Sequence, residues 1–299
     1  MFPDLKTFHH TDFADPQRLL AAKRAQSTSL SVCIPTLNEE GTIARIVSCL
    51  REALVDRVPL IDELVVIDSG STDRTRELAA ESGAAVHLAA DILPDHGNRT
   101  GKGENLWKAV YQCRGDILCF LDGDIGNIHP RFVLGTIGPL LTDASIDYVK
   151  GFYERPLLAT EGVDPRGGGR VTEILVRPLL KRFFPDLARL HQPLAGEYAA
   201  RRRVLERIPF PTGYGVETAH LIEAARLVGA EAIAQTDLDE RLHRNRSLAD
   251  LGRMSGQILE AFFARLPDAR QTGDERPPMM SLDAYLDRFH PCPSTVADP

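Results

Sequence analysis

Asp122-Gly123-Asp124 places two carboxylates two residues apart, directly after the apolar run Ile117–Leu121. At the end of a buried strand such a pair can hold a hard cation between itself and a diphosphate. Mg²⁺ takes one or two carboxylates plus phosphate oxygens in preference to a full protein cage. Gly123 leaves room for a ligand to come close to the backbone. An isolated D-x-D serves equally well as a solvated turn, and the spacing of an EF-hand loop is absent. The chemistry must therefore be sought in what surrounds the motif.

Three further polar segments have the right types. Pro35-Thr36-Leu37-Asn38-Glu39-Glu40 can grip a base or ribose through its backbone and Glu39. The same segment also reads as a helix start capped by Asn38, with acids in the first turn. Asp68-Ser69-Gly70-Ser71-Thr72-Asp73 is a dense polar loop that can contact a nucleotide or cap a helix. Gly101-Lys102-Gly103-Glu104 opens a helix, where Lys102 and the free amides would favour an anion. It lacks the Ser or Thr and the glycine spacing of a P-loop, and a glycine-rich turn fits it as well.

These segments acquire meaning from the elements that carry them. Leu30–Ile34 reads as a strand, followed by a helix from about Glu40 with Ile43, Ile46, Val47, Leu50 and Leu54 on one face. Leu64–Ile67 is a second buried strand, with a helix from near Arg74; Ala84–Leu88 is a third. A helix over Lys102–Cys113 and a strand over Asp116–Leu121 follow. Such alternation predicts an α/β fold with a mostly parallel sheet. Ligands bind at the carboxyl ends of such strands, near the switch in strand order, where all three strand-end loops fall. The second half is expected to hold a strand at Val149–Tyr153, helices at Thr172–Phe184 and Thr218–Leu227, and a strand near Ala230–Thr236. Four segments are expected: an arm over 1–28, a nucleotide-binding half over 29–150, a second half over 151–267, and a loose or surface-wrapping tail from 268 to 299.

Composition bounds the alternatives. With 299 residues, 43% hydrophobic, the chain can bury a large core without staples. A net charge of −7 argues against nucleic-acid binding, and Arg201-Arg202-Arg203 is too short a basic patch to alter that. The five cysteines include no C-x-x-C pair, so neither a disulfide framework nor a zinc site is indicated. No signal peptide or membrane-spanning run is present, and a reducing cytoplasm is the expected setting.

Taken together, P-x-L-N-E-E, D-S-G-S-T-D, G-K-G-E and D-x-D resemble the GT-A glycosyltransferases. The later segments GGGRVTEILVRPLL, QPLAGEYAARR, GYGVE and HRNR are more particular. They are similar to the glucosyl-3-phosphoglycerate and mannosyl-3-phosphoglycerate synthase family, over roughly residues 30–260. The resemblance implies a GT-A, Rossmann-like mixed sheet flanked by helices, with a helical acceptor-binding part toward the C-terminus. It implies retaining transfer of glucose from a nucleoside diphosphate sugar, UDP-glucose in preference, to the 2-hydroxyl of 3-phosphoglycerate, with Mg²⁺ or Mn²⁺ and a homodimeric enzyme. Pro35, Leu37, Glu39 and Ser69 are then expected at the uridine, and Lys102 at the diphosphate. Asp124 would ligate the metal together with His243, while Asp122, beside Gly123, holds the ribose or the metal's water. Leu194, Ala195, Gly196 and Glu217 would line the sugar pocket. Gly169, Arg170 and Thr172 would meet the acceptor, with Tyr214, Arg241 and Asn245 nearby. Gly123 departs from the family pattern, where Ser is expected, but both carboxylates remain.

Arg170 beside three glycines suits a small dianion, since arginine clamps phosphate or carboxylate in bidentate fashion. No carboxylate is an obvious nucleophile, so attack from the leaving-group face is expected, with Glu217 as nucleophile the alternative. Rival readings are mannosyl transfer from GDP-mannose to the same acceptor, and an inverting transferase acting on a lipid phosphate or polysaccharide. A catalytically silent nucleotide-sugar binding module is a third.

Overall fold

A computed structural model describes residues 5–155, 157–159, 162–164, 169–242, 247–267 and 275–291. The strands are β1 (Lys6–His9), β2 (Leu30–Thr36), β3 (Glu63–Asp68), β4 (Ala85–Leu88), β5 (Ile117–Phe120) and β6 (Tyr148–Glu154). They continue as the short β7 (Leu157–Ala159) and β8 (Gly162–Asp164), then β9 (Tyr198–Arg201), β10 (Phe210–Pro211), β11 (Ile233–Glu240) and β12 (Glu275–Arg276). Eight of them form one sheet in the order β1-β11-β6-β9-β5-β2-β3-β4. Within it only β9 runs antiparallel to its neighbours, β5 and β6. Val32, Cys33, Ile34, Val66 and Ile67 are all buried, as strands covered on both faces require.

The helices α1 (Pro16–Ala25), α2 (Ile43–Arg51), α3 (Thr75–Glu81), α4 (Lys102–Gln112) and α5 (Arg131–Thr142) belong to the first half. The second half has α6 (Arg177–Phe183), α7 (Arg202–Leu205), α8 (Val216–Val228), α9 (Leu248–Phe263) and α10 (Asp283–Phe289). One face of the sheet packs Ile46, Val47 and Leu50 of α2 with Phe132 and Ile137 of α5. The other packs Trp107 and Val110 of α4 with Leu221 of α8 and Phe262 of α9. The resulting three layers are the GT-A arrangement.

Several expectations need correction. The arm enters the sheet, for β1 pairs with β11 from Lys6↔Ala234 to His9↔Asp237. The boundary expected at 150/151 falls inside β6, because the sheet draws strands from both halves. Asn38 does not cap α2, whose N-cap Thr42 makes no side-chain cap bond; Asn38 instead takes a left-handed φ of +56°. The expected helix over Thr172–Phe184 opens as a π-turn at Thr172–Val176 before α6. The tail is not loose over 275–291. There Arg276 clamps buried Glu104 with two 2.7 Å bonds, and the Trp107 indole donates to the Pro277 carbonyl at 2.9 Å.

Of the triple arginine, Arg203 is exposed but Arg202 turns inward. Arg202 is buried and donates to the carbonyls of Val110, Cys113 and Gly115. A guanidinium has enough donors to satisfy the carbonyls that end α4, which would otherwise be unpaired. Among the described residues Cys33, Cys49, Cys113 and Cys119 are free thiols. No helix among them is long and apolar enough to cross a membrane.

Candidate active site

The carboxyl ends of β2, β3 and β5 lie side by side, since Thr36 registers with Asp68 and β5 flanks β2 on the other side. Asp68 organises the first two loops. Its buried carboxylate accepts from Thr36 Oγ1 (2.9 Å), Ser71 Oγ (2.5 Å), and the amides of Gly70 (3.0 Å) and Ser71 (2.7 Å). Ser71 Oγ in turn accepts the Asn38 amide at 2.8 Å, and Asn38 Oδ1 accepts the Thr72 amide at 2.9 Å. The left-handed turn at Asn38, tolerated by Asn better than by most residues, turns this side chain back across the loops. Asn105, one turn along α4 from Lys102, donates to Ser69 Oγ at 2.7 Å. The loops are thus braced before any ligand arrives.

These loops open on a cavity of about 750 Å³. Of the expected donor residues, Pro35, Leu37, Glu39, Ser69, Lys102, Asp122, Gly123, Asp124 and Leu194 line it, as does Glu217. Of the acceptor residues, Gly169, Arg170, Thr172, Tyr214 and Arg241 do. His243 and Asn245 lie outside the described residues. Ala195 and Gly196 are not among the lining residues. Ala195 is fully buried, and a Cβ on Gly196 would come within 2.2 Å of the Asp122 carboxylate. Glycine there lets the backbone support Asp122 directly. The glycines around Lys102 have a packing reason too, since a Cβ on Gly103 would meet the Pro211 carbonyl at 1.7 Å.

At the cavity floor the charges interlock. Lys102 Nζ lies 2.5 Å from Asp122 Oδ1 and 2.7 Å from Glu217 Oε1. Arg241 Nη2 bridges Asp122 Oδ2 (3.0 Å) and Asp124 Oδ1 (2.5 Å), while its Nε faces Glu197 at 3.1 Å. Burial opposes charge on Asp122, but Lys102 and Arg241 override it and hold its carboxyl well below the usual range. Burial likewise opposes charge on Lys102, and Asp122 with Glu217 raise its pKa regardless. Lys150, fully buried and without a hydrogen-bond partner among the described residues, is pushed down to about 7 by burial. Its amine lies 4.8 Å from the Tyr198 ring centre.

The arrangement passes a test for a divalent cation. Two carboxylate oxygens already converge on one cationic group, the Arg241 guanidinium, at the floor of the cavity. Oxygen donors suit Mg²⁺ or Mn²⁺.

Sequence reasoning missed Glu197, Asn105, Arg155 and Gln257. Asn105 could have been found from its helical spacing to Lys102. Glu197 could have been found as the acid inside QPLAGEY, since a carboxylate in an apolar run needs a buried cation. Arg155, which bonds the Tyr153 hydroxyl at 2.9 Å, and Gln257, which accepts the Tyr214 amide at 2.9 Å, carry no local signal.

Residues 31–133 match the Glycosyl transferase family 2 model. A glucosyl-3-phosphoglycerate synthase of Petrotoga mobilis is 47% identical over 261 residues, 87% of this chain and 80% of that one. Its counterpart in Mycobacterium tuberculosis is 48% identical over 255 residues, 84% of this chain and 78% of that one. The chain belongs to the glucosyl-3-phosphoglycerate synthase family. A crystal structure of the M. tuberculosis synthase with Mn²⁺, UDP-glucose and phosphoglyceric acid matches at a TM-score of 0.83. The identity is 40%, over 93% of this chain and 99% of that one. The same synthase with Mg²⁺ and UDP matches at 0.82, with 40% identity, 93% of this chain and 99% of that one. Both share the family's GT-A fold with the chain. The particular motifs of the second half and the general ones of the first therefore point to one family.

Proposed function

We propose that this chain transfers glucose from UDP-glucose to the 2-hydroxyl of 3-phosphoglycerate, with retention at the anomeric carbon and dependence on Mg²⁺ or Mn²⁺. The observation that carries this reading is the single cavity shared by the donor loops and by Gly169, Arg170 and Thr172. Donor and acceptor held side by side in it would react as a positioned pair rather than by chance encounter. The relatives named for this reaction, and the crystal structure with both substrates, support the same choice.

In this reading Pro35, Leu37, Glu39 and Ser69 hold the uridine, and Asp122 the ribose. Asp124 and His243 ligate the metal. A bound dication stabilises charge growing on the departing diphosphate. Lys102 stands beside that position on a helix N-terminus, where a fixed positive potential helps the leaving group without reorganisation. Arg241 pairs with both aspartates and, with Lys102, holds Asp122 ionised.

Arg170 and Thr172 receive the acceptor's phosphate and carboxylate, with Gly169, Tyr214, Arg241 and Asn245 nearby. Leu194 and Glu217 lie at the sugar. Because Glu217 is already ion-paired with Lys102, it is a poor nucleophile, and front-face attack follows. The diphosphate oxygen itself then takes the acceptor's proton. A cytoplasmic homodimer completes the proposal.

The test is a screen of purified protein with UDP-, ADP- and GDP-glucose and GDP-mannose against 3-phosphoglycerate, with each metal. An α-glucoside seen by NMR with UDP-glucose is expected. Absence of product in every pairing overturns the reading, and a β-glucoside overturns its stereochemistry.

A further inference from the structure

His9 and His10 would point to opposite faces if both lay in a strand. They do not, because β1 ends at His9 and a 3₁₀ turn begins at His10. The two rings stand together, 4.6 Å between centres and 34° apart in plane. Both aim their Nε2 at one carboxylate. His9 Nε2 is 3.2 Å from Asp239 Oδ1 and His10 Nε2 is 2.6 Å from Asp239 Oδ2. Among the described residues this is the one group of His, Cys, Asp or Glu side chains whose three ligand atoms all lie within 4.8 Å of one another.

A second feature singles out Asp239. It holds a left-handed φ of +66° in a register break of β11 against β6, between Asp237 and Glu240. A residue with a Cβ is strained there, and such strain persists where the surroundings impose it, often at ligand sites. The Asp237 carboxylate receives the Asp239 amide at 2.9 Å, and Arg131 grips the Leu238 and Glu240 carbonyls, both at 2.9 Å. The bulge is thereby held in the shape that aims the carboxylate at the imidazoles. His9 Nδ1 also accepts the Thr11 amide at 3.3 Å and meets Thr11 Oγ1 at 2.8 Å, contacts that fix the ring with its Nε2 toward Asp239.

We propose that His9, His10 and Asp239 form a surface site for a borderline-soft divalent ion such as Zn²⁺. Two imidazoles and one carboxylate form a three-ligand set that leaves the fourth position to solvent. Arg131, on the start of α5, faces the cluster with His129, and its charge opposes a hard ion held by attraction alone. Imidazole nitrogen therefore sets the preference, against Mg²⁺ and Mn²⁺. The ion would fasten the edge strand β1 to the end of β11, two residues before Arg241. It would tie the arm to the strand that delivers Arg241 to the two aspartates.

The site is tested by calorimetric titration of untagged protein with Zn²⁺ in excess Mg²⁺ and UDP, which occupy the cavity. One equivalent of Zn²⁺ per chain is expected. The Asp239→Gly variant deletes the carboxylate while relieving the left-handed strain, so it should fold and yet bind roughly tenfold more weakly or worse. The variant carrying His9→Gln with His10→Gln should lose the equivalent. Absence of stoichiometric binding in wild type, or wild-type affinity in either variant, overturns the proposal.

Discussion

The sides of the cavity proposed for donor and acceptor are built in opposite ways. On the donor side, Asp68 ties together Thr36, Gly70 and Ser71, and Asn38 and Asn105 lace the loops across β2, β3 and α4. On the acceptor side, Gly169 sits at φ +79° with nothing within 4 Å of where a Cβ would be, and Arg170 is exposed. The donor surface is preorganised by the protein, so a nucleotide need not order it. The acceptor surface offers charge and backbone instead, and a small, highly charged ligand must supply much of its own holding force. The floor between them, where Lys102 and Arg241 meet Asp122, belongs to both.

The largest expected effect is at that floor. Asp124→Ala should lower kcat/KM by roughly 10³-fold or more with either metal, as loss of a main electrostatic stabiliser does. Near-native turnover would remove the metal from the shared floor. Next, Arg170→Ala should raise the acceptor's KM by about 10- to 100-fold, the range for losing a charge-assisted contact. Donor KM should stay within about twofold. If both constants move together, the two sides are not separately built.

Beneath the floor, Lys150 provides a pH test. Burial holds it at about 7, whereas an unfolded lysine titrates near about 10.4. Between these values the unfolded chain binds more protons, so stability rises with pH, and this gain is lost as pH falls back through 7. The group contributes up to about 1.4 kcal/mol per pH unit in that window. Lys150→Met should therefore be most stable relative to wild type near neutrality, with the advantage shrinking toward pH 9 in urea unfolding. A difference that does not vary with pH would mean that Lys150 stays charged in the fold. The smallest effect is expected for Asn38→Ala, which should cost about 1 kcal/mol and raise donor KM a few-fold. The acceptor's KM should not respond, and a response there would show the bracing to reach across the cavity.

Much of this was legible in the sequence. Ile43, Ile46, Val47, Leu50 and Leu54 announced one face of α2 and the π-turn that continues it, and all five are buried. The apolar runs before Pro35, Asp68 and Asp122 announced parallel strands whose loops converge, because side-chain periodicity is a local property. Arg202 was not legible, since an arginine triplet reads the same whether it faces water or the carbonyl ends of α4. Nor was Asn38 readable as a brace, because capping and bridging use the same amide and only the position of Thr72 chooses between them.

The sequence by itself determined the fold class, the order of the three strand-end loops and the two acidic residues at their centre. These follow from short-range pattern and turn chemistry. Only the tertiary structure decided that Arg241, well over a hundred positions after Asp122 and Asp124, would bridge them. It also placed Glu197 behind that arginine and Lys102 between Asp122 and Glu217. Those pairings depend on β9 and β11 entering the sheet between and beside earlier strands, and nothing local to any one residue encodes that approach. A charge in a sequence has a sign; its partner is chosen by the fold.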